Sequence, residues 1–227
     1  MIDDRIAAGM REQLAARDER AAAGERQIGW KVGFGAPAAL ERLALDRPLV
    51  GYLFETGRLD DGAEVAVADW TAPMLEPEIA VHLARDVPGD AAWEDARAAI
   101  GGLSAAIELV DLHPPPDDVR AVLAGNIFHR HVVLGPLDRR RSTADGITAR
   151  LLIDGEPVAA NDDPAALTGE LVEIVRLTGE TLAACGERLR AGQIVITGSM
   201  TPPQPVAAGQ QVTVEAGALG TLALRLT

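Results

Sequence analysis

The sequence predicts an α+β fold, in which a mixed β-sheet curls into a roll or barrel-like shape behind an N-terminal helical arm. Many short apolar stretches separated by Gly/Asp turns indicate strands, and they outnumber the helical stretches. The helices do not alternate regularly with the strands, which argues against a doubly wound parallel sheet. Apolar residues make up 48% of the 227 residues, enough for a sizeable core. We divide the chain as one domain, with a helical cap portion at 1–48 and the β-roll core at 49–227.

The helical arm is predicted over residues 3–23. Apolar residues recur there every three or four positions, Asp3 or Asp4 can cap the first turn, and Gly24 can end the last one. The rest of this helix is rich in arginine and glutamate, which suits an arm or a lid over the main body.

The elements after the arm follow from local signals. Pro37 and Pro164 suit the first turns of helices, and Asp154-Gly155 is a turn signal within a hairpin at 148–160. Helices are predicted over residues 37–45, 91–100 and 164–185, with a short one after the triple proline at 114–116. Single strands are predicted over residues 28–34, 50–54, 64–68, 77–83, 103–111, 131–135, 193–197, 211–215 and 221–226.

Composition argues against several classes of protein. The formal net charge of −13 would repel nucleic acid or an anionic membrane, so neither is an expected partner. Cys185 is the only cysteine, which leaves no internal disulfide and favours a reducing compartment. No stretch approaches the roughly 20 apolar residues of a membrane span, and no signal-peptide pattern opens the chain. We therefore expect a soluble cytoplasmic protein.

Lys31 is the one lysine among 21 basic residues. On a strand, it would share its face with Gly29 and Gly33, which leave room for a small ligand. Unlike arginine, lysine has a pKa that its surroundings can lower far enough for proton transfer. Lys31 is therefore a candidate catalytic residue, and a chance survivor on a surface strand is the alternative.

Three glutamates could form an oxygen-rich metal site. Glu76 and Glu78 flank Pro77 at the start of a predicted strand, so their side chains point to the same side. Glu108 lies in the apolar segment Ala-Ala-Ile-Glu-Leu-Val, where an unpaired carboxylate would be costly. Mg²⁺ and Mn²⁺ prefer such ligands. The alternative is an exposed acidic turn plus one glutamate paired with an arginine.

Five segments follow one another along the chain in a characteristic order. They are Gly-Trp-Lys-Val-Gly at 29–33, Glu-Pro-Glu-Ile-Ala at 76–80, Ile-Glu-Leu-Val-Asp at 107–111, Val-Val-Leu-Gly at 132–135 and Leu-Arg-Ala-Gly-Gln-Ile-Val-Ile-Thr-Gly-Ser at 189–199. Together they resemble the hydratase/decarboxylase branch of the fumarylacetoacetate hydrolase superfamily. The resemblance covers about residues 5–226 and implies the β-roll of that superfamily's C-terminal domain.

The resemblance also implies roles for seven residues. They are the metal ligands Glu76, Glu78 and Glu108, the catalytic lysine Lys31, and the substrate-side turn Thr197, Gly198 and Ser199. Small residues in such a turn let backbone N–H groups approach a carboxylate. Beside a divalent ion the pKa of the lysine is expected to be lowered.

The chain departs from the branch pattern at the substrate end. An aspartate usual in a Pro-Asp-Phe-Gly-like segment is absent from residues 48–51, and residues 125–131 replace a segment that usually carries a serine. The replacement contains His129 and His131. His129 is a candidate catalytic residue that could shuttle protons near neutral pH, and the alternative for both histidines is a subunit contact or a loop edge.

The resemblance implies a metal-dependent lyase, a hydratase acting on a short 2-hydroxy-dienoate or 2-oxo-enoate from the catabolism of aromatic ring-cleavage products. The intermediate would be an enolate stabilised by Mg²⁺ or Mn²⁺. The same superfamily also contains 2-oxo acid decarboxylases and acylpyruvate-type C–C hydrolases, and either activity is a competing enzyme function. An inactive partner subunit is the competing interpretation outside enzymes. The branch further implies a homo-oligomer, with a complex between this chain and a related enzyme of the same pathway as an additional expectation.

Overall fold

The computed structural model describes residues 2–112 and 117–227. The triple proline at 114–116 lies outside the described residues, and the short helix predicted after it is present at Val119–Ala124. Over the described ranges, no helix is both long enough and apolar enough to cross a membrane.

Helices and strands alternate irregularly along the chain, as the α+β prediction requires. The helices of the described residues are α1 Asp4–Ala22, α2 Pro37–Leu43, α3 Trp93–Ala99, α4 Val119–Ala124, α5 Ala165–Thr168 and α6 Leu171–Ala184. The strands are β1 Gln27–Gly33, β2 Leu49–Phe54, β3 Arg58–Leu59, β4 Glu64–Val65, β5 Pro73–Leu83, β6 Ile100–Asp111, β7 His129–Leu134, β8 Ala149–Ile153, β9 Glu156–Asn161, β10 Ile194–Ser199, β11 Gln204–Pro205, β12 Gln211–Glu215 and β13 Thr221–Leu226.

These strands form two mixed sheets. The larger sheet has the order β2-β1-β10-β5-β6-β7-β3, with β11 paired to β5, and the smaller has the order β4-β13-β12-β8-β9. The pairs β1–β10, β3–β7 and β4–β13 are parallel, and the other pairs are antiparallel. One cluster of buried apolar side chains includes residues of both sheets and of α1. The mixed, curled sheet predicted from the sequence is confirmed.

The N-terminal arm is fixed against the sheet. The carboxylate of Asp3 caps α1 by accepting a hydrogen bond from the Arg5 backbone N–H at 2.7 Å, as predicted. The buried amide of Gln13 donates to the backbone oxygens of Val50 at 3.1 Å and Leu123 at 2.9 Å. Helix α1 is therefore hydrogen-bonded to both β2 and α4. Strand β1 belongs to the predicted cap portion (1–48), and β2 belongs to the predicted core (49–227). The two strands pair in the larger sheet, so backbone hydrogen bonds connect the two portions.

The structure corrects several boundaries. The helix predicted over 164–185 is interrupted at Gly169, whose φ of 84° and ψ of −178° suit glycine alone, and this break separates α5 from α6. Strand β5 begins at Pro73, before the predicted 77, because it continues past Glu76 to pair with the whole of β6. The two-residue strands β3 and β11 are too short for periodicity to predict. The hairpin turn at Asp154-Gly155 is confirmed, with φ values of 54° and 83°.

Candidate active site

Two neighbouring strands bring the three predicted glutamates together. Strands β5 and β6 run antiparallel, with Glu76 directly opposite Glu108. Glu78 lies two residues further along β5, on the same face as Glu76. One oxygen from each carboxylate lies within 4.8 Å of the others. We call these three residues the glutamate cluster.

Two oxygens of the glutamate cluster are buried without a donor. Glu78 Oε2 accepts a hydrogen bond from the Gly198 backbone N–H at 2.8 Å, whereas Glu78 Oε1 and Glu108 Oε2 receive none from the described residues. Both of these glutamates are fully buried. A buried carboxylate is costly unless it is paired or coordinates a metal. The donor set of three carboxylates therefore fits a hard divalent cation such as Mg²⁺ or Mn²⁺.

The carboxylates of the glutamate cluster repel one another when they are ionised. Burial and the neighbouring Glu108 raise the pKa of Glu76 to about 7. Burial and the two other carboxylates raise the pKa of Glu78 well above its usual value. Burial would also raise the pKa of Glu108, but Lys31 and His129 together lower it. The cluster needs further positive charge before all three carboxylates are ionised near neutral pH.

Lys31 lies beside the cluster. Its Nζ contacts Glu108 Oε1 at 2.7 Å and donates to the backbone oxygen of Ile127 at 3.2 Å, with only 2% of the side chain exposed. Burial acts to lower the pKa of Lys31, but the three glutamates outweigh it and raise the pKa. The described residues therefore hold an ammonium group at the cluster. The lowered pKa expected beside a bound divalent ion stays a prediction.

The two glycines beside Lys31 have different surroundings. A Cβ atom at Gly29 would lie 2.1 Å from the backbone oxygen of Ile194, and one at Gly33 would lie 2.9 Å from the side chain of Ile127. The space at Gly29 is thus filled by β10, whereas Gly33 packs against Ile127 and also lines a cavity.

A cavity of about 560 Å³ opens at the glutamate cluster, a volume typical of small-molecule sites. Lys31 and Glu76 line it, together with the turn at 197–199. Most of the remaining wall is apolar and comes from α2, α5 and the segment before β7. Its larger side chains are Phe34, Val110, Leu112, Ile127, Phe128, Leu167, Pro202 and Pro203.

The turn at the end of β10 lies against both the cavity and the cluster. Thr197 Oγ1 donates to the backbone oxygen of Ile79 at 3.1 Å, and the Gly198 N–H is used by Glu78. Ser199 Oγ is buried and, among the described residues, has no hydrogen-bond partner. The N–H expected to meet a substrate carboxylate at Gly198 therefore supports a glutamate instead, and Ser199 is the group of this turn left to contact a ligand.

The two histidines of the replaced segment have different surroundings. His129 Nδ1 lies 2.7 Å from Glu108 Oε1, and a β-bulge follows it at Arg130. His131 stacks on Trp70, with ring centroids 5.9 Å apart. Neither histidine lines the cavity. The geometry thus links His129 to the cluster through Glu108, while its predicted role as a proton shuttle stays a prediction.

Sequence reasoning missed two residues that the structure brings to the cavity or its wall. Arg42 on α2 lines the cavity and, within the described ranges, has no ion-pair partner or side-chain hydrogen bond. Its only sequence signal was a cation within a short predicted helix. Asn126 is buried behind the wall and bonds to Tyr52, a long-range contact that no local pattern reveals.

Comparisons with known proteins found similar sequences over most of the chain. The family model described as fumarylacetoacetate (FAA) hydrolase C-terminal matches residues 29–227. A TodF product hydratase of Pseudomonas putida is 32% identical over 88% of this chain and 76% of its own length. A 2-keto-4-pentenoate hydratase of Burkholderia vietnamiensis is 31% identical over 92% of this chain and 82% of its own length.

A solved structure has the same fold over nearly the whole chain. It is 4-oxalocrotonate decarboxylase from Pseudomonas putida G7, complexed with magnesium and adipate. Its TM-score is 0.87 at 26% sequence identity, and the match covers 95% of this chain and 83% of that one.

Proposed function

Because this chain belongs to the fumarylacetoacetate hydrolase family, we propose that it is a metal-dependent hydratase, a lyase that adds water to a short 2-hydroxy-dienoate or 2-oxo-enoate. The observation that carries the proposal is the meeting of three glutamates and one ammonium group at a cavity of small-molecule size. The two hydratase relatives support the reaction type, since both align with nearly the whole chain.

We propose that Glu76, Glu78 and Glu108 hold one Mg²⁺ or Mn²⁺. The two buried carboxylate oxygens without a donor support this ligand set, and the magnesium complex of the decarboxylase neighbour supports the choice of metal. When bound, such an ion supplies a Lewis acid for the carboxylate and C2 oxygens of a 2-oxo acid.

Lys31 would hold or donate a proton at the reacting end of the substrate. An ammonium group has three N–H donors, and Glu108 Oε1 and the Ile127 backbone oxygen take two of them. The third remains for a group in the cavity. His129 would act by holding Glu108 in place, because its Nδ1 bonds to that carboxylate and its ring lies outside the cavity wall.

The cavity wall would position the carbon chain of the substrate. Apolar side chains such as Phe34, Phe128 and Leu167 exclude bulk water from the double bonds, so water enters the reaction only at defined places. Ser199 Oγ, buried and without a described partner, would contact the polar end of the substrate. Thr197 and Gly198 support that end through their bonds to β5.

A decarboxylase acting on a dicarboxylic 2-oxo acid is the second candidate, and Arg42 favours it. This arginine lines the otherwise apolar part of the cavity and, over the described residues, has no ion-pair partner. An acid with a second carboxylate at its far end would supply one. The 4-oxalocrotonate decarboxylase neighbour, which binds the dicarboxylate adipate, is consistent with this candidate.

A C–C hydrolase and an inactive partner subunit have less support from the site. A C–C hydrolase needs a water molecule activated by a histidine paired with a glutamate, but the paired His129 does not line the cavity. An inactive partner subunit would have no reason to retain the complete glutamate cluster and Lys31. We further propose a cytoplasmic homo-oligomer in the catabolism of aromatic ring-cleavage products, whose subunit number light scattering would measure.

The test is product identification with purified protein. 2-Hydroxypenta-2,4-dienoate and 4-oxalocrotonate are supplied in turn with Mg²⁺, with Mn²⁺ or with a chelator, and products are identified by mass spectrometry. A single hydroxy-oxo acid, formed only with metal, is expected from the first substrate. Release of CO₂ from the second, without hydration of the first, would replace the proposal by its second candidate. Turnover of neither substrate with either metal would overturn both.

A further inference from the structure

The cavity wall contains an unusual run of backbone conformations. Asn126, Ile127 and Phe128 have φ values of 52°, 51° and 61°, so three consecutive residues other than glycine lie in the left-handed region. Asparagine tolerates this region, but a β-branched isoleucine and a phenylalanine do so only when their surroundings impose it. We call these three residues the left-handed turn. Strain of this kind calls for a specific restraint.

The side chain of Asn126 supplies that restraint. Its Nδ2 donates to the Tyr52 backbone oxygen at 3.0 Å, and its Oδ1 accepts from the Tyr52 backbone N–H at 2.8 Å. Strand β2 is the last strand on its side of the larger sheet, so the amide takes the place of a neighbouring strand at Tyr52. Asn126 is 8% exposed, and these two bonds fix the turn to the sheet.

The left-handed turn holds the two groups that contact Glu108. The backbone oxygen of Ile127 accepts from Lys31 Nζ, and His129, which directly follows the turn, contacts Glu108 Oε1. Ile127 and Phe128 also line the cavity. A shift of this turn would therefore move the ammonium group, its shared carboxylate and the cavity wall together.

Gly51 shows how closely these parts are packed. A Cβ atom at this position would lie 2.8 Å from Asn126 Oδ1 and 2.9 Å from Lys31 Cγ. The absence of a side chain lets the amide and the lysine lie side by side against β2. The asparagine and the lysine are thus neighbours in one packed unit, although they are far apart in the sequence.

We propose that Asn126 is the positioning residue for Lys31: through the left-handed turn it fixes where the ammonium group meets Glu108 and the cavity. The effect on turnover rests on the proposed function, whereas the effect on the lysine does not. Asn126 does not line the cavity, so its influence is exerted through the Ile127 carbonyl.

The single lysine of the chain allows a direct test. Protein labelled with ¹³Cε-lysine gives one side-chain NMR signal, which reports on Lys31 alone. We expect Asn126→Gly to shift this signal towards that of a mobile, solvated lysine. We also expect the variant to lower kcat by about tenfold or more, since small displacements of reacting groups are costly. Mg²⁺ affinity, measured by calorimetry, should change far less than kcat.

A second variant separates the effect of the amide from that of backbone strain. Asn126→Ala removes the amide and also disfavours the left-handed conformation, which glycine accepts freely. If the amide is responsible, Asn126→Gly and Asn126→Ala should shift the lysine NMR signal equally. A shift only in Asn126→Ala would assign the effect to strain and overturn the role of the amide.

The matched control is Gln13→Ala. Gln13 is also a buried amide with two backbone acceptors, one on β2 and one on α4, but it has no bond to the left-handed turn. The Gln13→Ala variant should have a lower melting temperature than the wild type, with the lysine NMR signal unchanged. An Asn126→Gly protein that behaves like this control would show that Asn126 is only structural. If the wild-type protein turns over no substrate, the proposed function fails and the NMR comparison still decides the role of Asn126.

Discussion

At the level of single residues, Lys31 depends on backbone groups as much as on charge. One of its donors reaches a main-chain oxygen, at Ile127, and its aliphatic stem lies against a glycine, Gly51. A planar guanidinium would present its donors in a different geometry. The chemistry of this position therefore depends on the donor geometry of lysine as well as on its charge.

Replacing Lys31 with arginine tests this specificity. The positive charge beside Glu108 is kept, so the glutamate cluster should still bind Mg²⁺ and the protein should fold. We expect kcat to fall at least about 100-fold, the low end for loss of a group that transfers protons. Steady-state kinetics and calorimetric titration measure the two effects separately. Near-normal turnover would remove Lys31 from the reaction.

Arg42 offers a second prediction at this level. If the natural substrate carries a second carboxylate, Arg42→Gln should raise KM for a dicarboxylic 2-oxo acid about fivefold, the upper range for an exposed ion pair. KM for a monocarboxylic dienoate should stay unchanged. Arg188→Gln is the matched control, because Arg188 is exposed and lies away from the cavity. Equal effects on both acids would show that Arg42 does not recognise a second carboxylate.

The residues of the site were predictable to different degrees. Glu76 and Glu78 follow from strand alternation, and Glu108 follows from its apolar neighbours, because burial of a carboxylate demands a reason. The contact between His129 and Glu108 does not follow, because a bulge at Arg130 interrupts the alternation of β7. Asn126 is still less accessible to sequence reasoning, since its partner lies 74 positions away.

At the level of elements, the sequence predicted two strands more accurately than it predicted the longest helix after α1. Residues Gln211–Glu215 and Thr221–Leu226 were predicted with correct bounds because they alternate buried apolar and exposed polar positions. The helix predicted over 164–185 kept its apolar periodicity, but Gly169 breaks it. The periodic pattern specifies which face is buried. Whether one glycine adopts a positive φ depends on packing that the pattern does not contain.

The break at Gly169 has a functional consequence, because α5 contributes Leu167 and Thr168 to the cavity wall. We expect Gly169→Ala to destabilise the protein by about 1–3 kcal/mol, the cost of a side chain in this backbone region. It should also raise KM, as α5 shifts to relieve the strain. Gly186→Ala is the control, since Gly186 has a similar φ of 80° beyond the far end of α6. Loss of stability without a change in KM at Gly169 would show that the cavity wall tolerates the movement.

At the level of the whole molecule, the net charge of −13 opposes the binding of an acidic substrate. It also opposes the ionisation of carboxylates that lie close together. The protein nevertheless places three carboxylates on two adjacent strands at the centre of its larger sheet, and it buries Glu78 and Glu108 fully. Lys31 supplies one compensating charge, and the raised pKa values of Glu76 and Glu78 show that one is insufficient. The fold therefore contains a local electrostatic cost that a bound cation would relieve.

Because a bound cation would relieve the repulsion among the carboxylates, we expect metal binding to raise the stability of the folded protein. Mg²⁺ at 100 times its Kd should stabilise the folded state by about 2.7 kcal/mol. For a chain of this length, the melting temperature should then rise by roughly 5–10 °C. Glu78→Gln should abolish most of this rise, because it removes one ligand. Without metal, the same variant should melt no lower than the wild type, because a neutral amide replaces a buried carboxylate.

Differential scanning calorimetry with and without Mg²⁺ measures both effects. Glu215→Gln on β12 is the matched control, since this glutamate is exposed and outside the cluster, and it should keep the full response to metal. An equal rise in melting temperature for Glu78→Gln and the wild type would mean that the ion binds elsewhere. The repulsion among the three clustered carboxylates would then need another form of relief, such as proton uptake by Glu76 and Glu78, whose raised pKa values already favour it.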